Sequence, residues 1–424
     1  MTFAGTVPVH KSLPAWRRLS RTGVALAAAT VLLAACGGGN QVKRFQPTST
    51  GTGPAMMSFG DENSALVEVP VGGSGSVTSI KGFKYGVNSV EWVVSTIAND
   101  PAQGSRTLVT PQPAWVPFPT SGEVPNTLEV SLLSGNSFRV REDYLLNTLY
   151  TDSTSGPQTA QYYYTYYCAD YPLWIQSLAR SYGLGYQQQC PSENAGGAVT
   201  YAAAGATVAD TAAQVASRRG EIGSDTLVTI MAGQHDILAT YKQVRDNGKD
   251  LGVAKNEMTA KGKELAAVVN EVYDRGAHVL FVRLHNLGFS PLARADGVQG
   301  QDRMRELTLA FNTGLLINVR NDGVRVGLIN FYDRSFDLER YPSNAGVSDI
   351  SSSVCSDSVY KPDGASVTRG SPDVPGGDPL LYCNNLTVNR AADAYFWSDS
   401  FNLAPRGQAY LARWASERAF NRTF

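Results

Sequence analysis

Between Leu227 and Ile329 the chain alternates short, unbroken apolar runs with longer amphipathic stretches, and this rhythm narrows the fold more than any other feature. Leu227-Val228-Thr229-Ile230-Met231, ending at Gly233, and His278-Val279-Leu280-Phe281-Val282 have the length and β-branched content of strands buried on both faces. Val324-Arg325-Val326-Gly327-Leu328-Ile329 reads as the strand that follows. Residues 257–275 place Leu265, Val268, Val269 and Val272 on one helical face, and residues 303–320 repeat the helical pattern. Upstream, Trp174, Leu178, Ala179 and Tyr182 recur at helical spacing until Gly183, and Ala55 to Phe59 reads as a strand ending in a Gly-Asp turn. Strands alternating with helices predict a parallel sheet covered on both faces, a three-layer α/β/α sandwich. Such sheets bind ligands at the carboxyl ends of their strands, where the loops beginning at Gly60, Gly233 and Asn286 fall.

Residues 67–165 break the rhythm, being polar and rich in Gly, Ser and Pro. Val90, Trp92 and Val94 alternate in one segment and Leu128, Val130 and Leu132 in another, so the region reads as a β-rich insertion within a domain spanning 55–424. The first 36 residues form an export signal: Lys11, Arg17, Arg18 and Arg21 precede an apolar run from Val24 to Ala35 that is too short for a membrane span. Its end, Leu33-Ala34-Ala35-Cys36, resembles a bacterial lipobox, which implies a lipid anchor to the membrane at Cys36; an ordinary signal peptide containing a cysteine is the alternative. Gly37 in place of Asp after the cysteine points to the outer membrane. A Gly-, Ser- and Thr-rich stretch, 37–54, reads as a flexible tether.

A net charge of −1 with 17% charged residues gives no basic footprint for nucleic acid. Beyond the leader no segment reaches transmembrane length. Cys168, Cys190, Cys355 and Cys383 form an even set in an exported chain, which implies two disulfides with three possible connectivities. The sequence-local pairing, Cys168 with Cys190 and Cys355 with Cys383, closes two loop-rich segments. Metal-ligand spacings are absent from the four histidines and five cysteines, so neither metal nor cofactor is expected.

Met57-Ser58-Phe59-Gly60-Asp61-Glu62-Asn63-Ser64 resembles the first block of the SGNH/GDSL hydrolases, Phe-Gly-Asp-Ser, except that Glu62 stands at the nucleophile position. Trp174 to Leu184, Tyr201-Ala202-Ala203-Ala204-Gly205-Ala206 and Leu284-His285-Asn286-Leu287-Gly288-Phe289-Ser290-Pro291 resemble the following segments. Ala310-Phe311-Asn312 and Tyr395-Phe396-Trp397-Ser398-Asp399 resemble the later ones, in the expected order. The likeness covers about residues 55–65 and 172–424 and is nearest to large bacterial envelope esterases. It implies an SGNH-hydrolase-like sandwich, a triad of Ser, His and Asp, and an oxyanion site built from the serine, a glycine and an asparagine.

Transferred residue by residue, the resemblance makes Gly205 the glycine donor and Asp399 the acid. Glu62 replaces the nucleophile, His235 the asparagine of Gly-x-Asn-Asp, and Asn402 the histidine of Asp-x-x-His. Ser64 lies two residues past the nucleophile position, and His278 and His285 read as structural histidines. The triad mechanism therefore fails on these residues. Glu62 and His235 occupy positions that adjoin in the family's fold, so they are expected to pair and to raise the pKa of His235. Two versions of that pair stay open: an inert, stabilising contact, or a carboxylate nucleophile or base with His235 activating water. The expectation is a catalytically altered envelope lipoprotein binding an ester, a glycan or a protein partner in the inherited cleft. The alternatives are an ester hydrolase using Glu62 and His235, and a structural protein working through the 67–165 insertion. Tyr162, Tyr163, Tyr164, Tyr166, Tyr167 and Tyr171 form either an aromatic platform at the cleft rim or rings covering the core beside Cys168. The loop from Ser348 to Pro379 reads as a solvated excursion pinned by Cys355 and Cys383.

Overall fold

The computed structural model describes residues 44–49, 53–70, 79–98, 127–132, 138–146, 158–320, 322–355, 358–360, 366–368, 379–385, 388 and 391–421. The leader and Cys36 lie outside these residues. The body comprises Phe45–Phe424.

Strand β1 (Met56–Gly60) is followed by the insertion strands β2 (Val67–Pro70), β3 (Ser79–Phe83), β4 (Val90–Ala98), β5 (Thr127–Leu132), β6 (Phe138–Leu146) and β7 (Gln158–Tyr166). The α/β alternation then begins with α1 (Trp174–Ser181), β8 (Ala198–Thr200), α2 (Val208–Ser217), β9 (Leu227–Met231), α3 (Gln234–Asp246) and α4 (Leu251–Asp274). It continues with β10 (His278–Arg283), α5 (Gly297–Asn318), β11 (Val326–Asn330) and α6 (Phe331–Arg340), and closes with α7 (Pro405–Asn421).

Five strands form one parallel sheet in the order β11-β10-β9-β1-β8. The chain steps outward from β1 to β8 and then crosses back to β9, so the direction of winding reverses beside β1. The carboxyl ends of β1 and β9, beside that reversal, are where doubly wound sheets hold their ligands in a crevice. The strands form because β1, β9 and the interior of β10 offer apolar or small residues to two covering layers: Met56, Met57, Phe59, Leu227, Val228, Ile230, Val279 and Leu280 are all buried. Helices α1 and α7 pack together on one face, and α2 to α5 cover the other. Helix α4 starts at Leu251, earlier than the apolar spacing predicts, because the Asp250 carboxylate accepts the Val253 N–H at 2.9 Å and caps the first turn. Helix α5 likewise starts at Gly297 rather than at 303; apart from Val298 its first residues are Gly, Gln and Asp and carry no periodic signal. The third predicted strand begins two residues late, at Val326.

The 67–165 segment is β-rich. Strands β2 and β3 pair antiparallel, and β4, β7, β6 and β5 form a four-stranded antiparallel sheet. Val69, Ile80, Phe83, Tyr85, Val87 and Val90 bury a second core with Leu380, Leu381 and the Cys355–Cys383 disulfide. Cys168 is bonded to Cys190. The Lys84 ammonium is buried and donates to the carbonyls of Cys168 (3.2 Å), Asp170 and Tyr171 (3.0 Å). Burial lowers its pKa to about 7, and its bonds join the end of β3 to the disulfide-closed loop.

The side chains of Tyr162, Tyr163 and Tyr164 lie outside the described residues. Tyr166 is half-buried and tilted against Phe83 at 5.1 Å, and Tyr171 packs against the same second core. Both therefore cover core. The stretch read as a flexible tether, 37–54, is held to the body near its end: the Gln46 amide donates to the Tyr182 carbonyl at 3.1 Å and the Thr48 N–H to the Asp225 carbonyl at 3.0 Å. Composition gave no sign of this docking because the contacts come from Phe45, Gln46 and Thr48 individually. Most of the Ser348–Pro379 loop lies outside the described residues; its start, Asp349–Ser353, pairs with Tyr395–Trp397.

Candidate functional site

Glu62 enters the crevice because β1 ends at a residue that only glycine can be. Gly60 has φ +136°, and a Cβ there would sit 1.8 Å from the Met231 carbonyl oxygen of β9. The Gln214 amide clamps this turn, accepting the Gly60 N–H at 2.9 Å and donating to its carbonyl at 3.1 Å. The next residues, Glu62–Ser64, form a single 3-10 turn capped by Asp61, whose carboxylate accepts the Asn63 N–H at 3.1 Å. That turn carries the Glu62 side chain across to the start of α3.

The Glu62 carboxylate meets His235 there, with Nε2 2.8 Å from Oε1 and 2.7 Å from Oε2. It also accepts the Gly205 N–H at 3.1 Å, with Gly205 held at φ +72°, and a longer contact from the Gln234 amide at 3.4 Å. Glu62 is 3% exposed, whereas 21% of the His235 side chain reaches solvent. Phe401 meets the imidazole edge-on at 5.9 Å. His235 Nδ1 has no hydrogen-bond partner among the described residues.

Burial alone would lower the His235 pKa, but the Glu62 charge and hydrogen bond outweigh it and raise the value to about 9. For Glu62, burial would raise the pKa; His235 and the Gly205 N–H outweigh burial and hold it below the usual carboxylate range. At neutral pH the site is therefore an imidazolium–carboxylate pair. Asp61 behaves oppositely: it is fully buried, its Oδ2 has no hydrogen-bond partner among the described residues, and burial followed by the adjacent Glu62 charge raises its pKa to about 7.

Asp399 and Asn402 flank the same crevice, joined to it through Gln234. The Asp399 carboxylate accepts the N–H groups of Phe401 (2.8 Å) and Asn402 (2.6 Å) and the Asn402 side-chain amide (3.2 Å). The Gln234 amide donates to Asn402 Oδ1 at 3.0 Å and accepts from Asn63 at 3.4 Å. Asn63 Oδ1 in turn accepts from the Leu403 N–H and the Gln408 amide, both at 3.3 Å. The structure thus brings Glu62, Gly205, His235, Asp399 and Asn402 into one network. Sequence reasoning missed Asp61, Asn63 and Gln234, which connect it. Each adjoins a substituted position, and that adjacency was the available signal.

Among the described residues, neither Ser64 nor the other histidines supply the missing chemistry. Ser64 is fully buried, and its hydroxyl accepts the Trp174 indole N–H at 3.1 Å. His285 is fully buried among Phe331, Phe396 and Trp397, and burial lowers its pKa to about 3. His278 opens β10 at the amino ends of the strands, away from Glu62, stacked on Phe45. A general base works best with a pKa near the working pH, and His235 is protonated there. Glu62, held as a stabilised anion by three groups, is correspondingly weak as a nucleophile.

No family model matches this chain, and no curated protein matches it. Among solved structures it is similar to the lipase Lip_vut3 from a goat rumen metagenome. The identity is 14% and the TM-score 0.28, covering 38% of this chain and 72% of that one. Agreement of that size assigns no activity.

Proposed function

We propose that this chain is a lipid-anchored envelope protein on the SGNH/GDSL hydrolase plan whose catalytic centre has become an internal ion pair, and that it binds its ligand without hydrolysing it. One observation carries this reading: the Glu62 carboxylate occupies the Gly205 N–H and His235 Nε2 together. In an ester hydrolase of that plan the glycine N–H would stabilise an oxyanion, and a carboxylate fixed in its place repels one instead. His235 Nδ1–H has no hydrogen-bond partner among the described residues and belongs to a partly exposed ring that is charged at neutral pH, which suits the acceptor oxygens of an ester, a glycan or a partner's side chains. Envelope placement is supported by the basic and apolar leader, by Cys36 after Leu33-Ala34-Ala35, and by two disulfides, which persist in oxidising compartments.

Hydrolysis of short-acyl nitrophenyl esters tests the reading, with the wild type beside Glu62→Gln and the combined reversion Glu62→Ser, His235→Asn, Asn402→His. The wild type and Glu62→Gln are expected to be silent and the reversion to gain measurable turnover. Wild-type hydrolysis that Glu62→Gln abolishes would instead establish a carboxylate-based enzyme.

A further inference from the structure

The last described part of the tether lies along one edge of the body. Phe45 stacks on His278, the first residue of β10, with ring centroids 3.5 Å apart. Gln46 bonds to the carbonyl of Tyr182, just past the end of α1, and Thr48 to that of Asp225, two residues before β9. Pro47 between them is buried. All of these partners lie at the amino ends of the parallel strands, opposite the crevice holding Glu62 and His235. Phe45, nine residues after Cys36 in sequence, therefore lies at the amino edge. Between Cys36 and Phe45 it can span at most about 30 Å when fully extended.

We infer that the amino edge of the sheet faces the lipid headgroups and that the Glu62–His235 crevice opens away from the membrane. This rests on the lipid-anchor reading of Cys36. Two apolar side chains on that edge suit a headgroup layer: Ile317 at the end of α5 and Val324 before β11 are 73% and 59% exposed. The arginines around them are paired, Arg219 and Arg275 both with Glu271, Arg320 with Asp274 and Arg325 with Asp322, so little of their charge is uncompensated. Orientation is thus set by the anchor and the docked tether, and anionic lipid is not required. A membrane-bound protein arranged this way offers its crevice to material outside the bilayer: a soluble glycan, a polymer strand or a protein.

Helix α5 supplies the test. Val298 near its start and Ile317 near its end are almost equally exposed, 74% and 73%, and lie about 28 Å apart along the axis. A fluorescent amino acid is introduced genetically at one position or the other in the full chain. The lipidated protein is purified from membranes and placed in vesicles of phosphatidylethanolamine and phosphatidylglycerol carrying nitroxide headgroups. The inference expects strong loss of emission at position 317 and little at 298. It also expects the contrast to shrink when Phe45→Ala and Thr48→Pro free the tether, and to persist without phosphatidylglycerol. Equal quenching at both positions, or stronger quenching at 298, overturns the orientation while leaving the anchor intact. The mass of the mature amino terminus separates the two readings: an unmodified terminus overturns the anchor and the orientation with it.

Discussion

Glu62 and His235 form a buried pair in which each partner depends on the other for its charge. Removing one partner of such a pair strands the other, so Glu62→Gln is expected to lower unfolding free energy in urea by about 2 kcal/mol. Replacing both residues together should cost less than the sum of the single changes. The pH dependence has a definite sign. His235 has a folded pKa of about 9 against an ordinary 6.5, so its contribution is complete below pH 6.5 and is lost as pH rises through 9. Glu62 is depressed below its ordinary 4.5, so its contribution is present above that value and is lost as pH falls beneath it. The stability gap between wild type and Glu62→Gln should therefore be widest between about pH 4.5 and 6.5 and narrow on both sides, as urea titrations across pH would show. The pairing could be anticipated from two substituted positions alone. The fixed Gly205 contact and the role of Gln234 could not, because they depend on the backbone path between β8 and α2 and on the first turn of α3.

Among the elements, the most legible were β9 and β10, whose continuous apolar runs admit only strands buried on both faces. Strand β8 was not legible: three residues, Ala198–Thr200, carry no period, and the strand exists because it pairs with β1. Contact between α4 and α5 was equally hidden, since it relies on the lack of side chains. A Cβ on Gly314 would stand 2.0 Å from the Thr259 carbonyl oxygen, and one on Gly262 would stand 2.0 Å from that of Phe311. Helix propensity predicts that Gly314→Ala stabilises by about 1 kcal/mol. The packing predicts the reverse, a net loss of about 1–3 kcal/mol from overpacking, with Gly262→Ala similar. Thermal unfolding decides between them, and a rise in Tm for either variant would contradict the helix contact described above.

At the scale of the whole molecule, the described residues of the body form two cores, one under the parallel sheet and one under the insertion, each holding one disulfide, and Lys84 joins the insertion to the disulfide-closed loop of the first. Cys355–Cys383 lies in the second core and Cys168–Cys190 closes the loop that receives Lys84. Replacing Cys355 and Cys383 by Ser should cost about 2–4 kcal/mol and should expose the insertion to proteolysis before the sheet. A uniform rate of cleavage across both regions would show that the two cores unfold as one. The sandwich was readable from the order of strands and helices. The second core was not, because its parts come from β2, β3 and a segment about three hundred residues downstream. Three histidines follow Cys36, and they report on three places: His235 on the site, His278 on the docked tether and His285 on the core. One imidazole titration by NMR reads them together and tests the central claim directly. His235 should titrate near pH 9 while His285 stays neutral and His278 titrates below its ordinary value, and Glu62→Gln should bring His235 down to its ordinary range or lower. A His235 pKa near 6.5 in the wild type, or one that Glu62→Gln leaves unchanged, would contradict the ion pair and the account built on it.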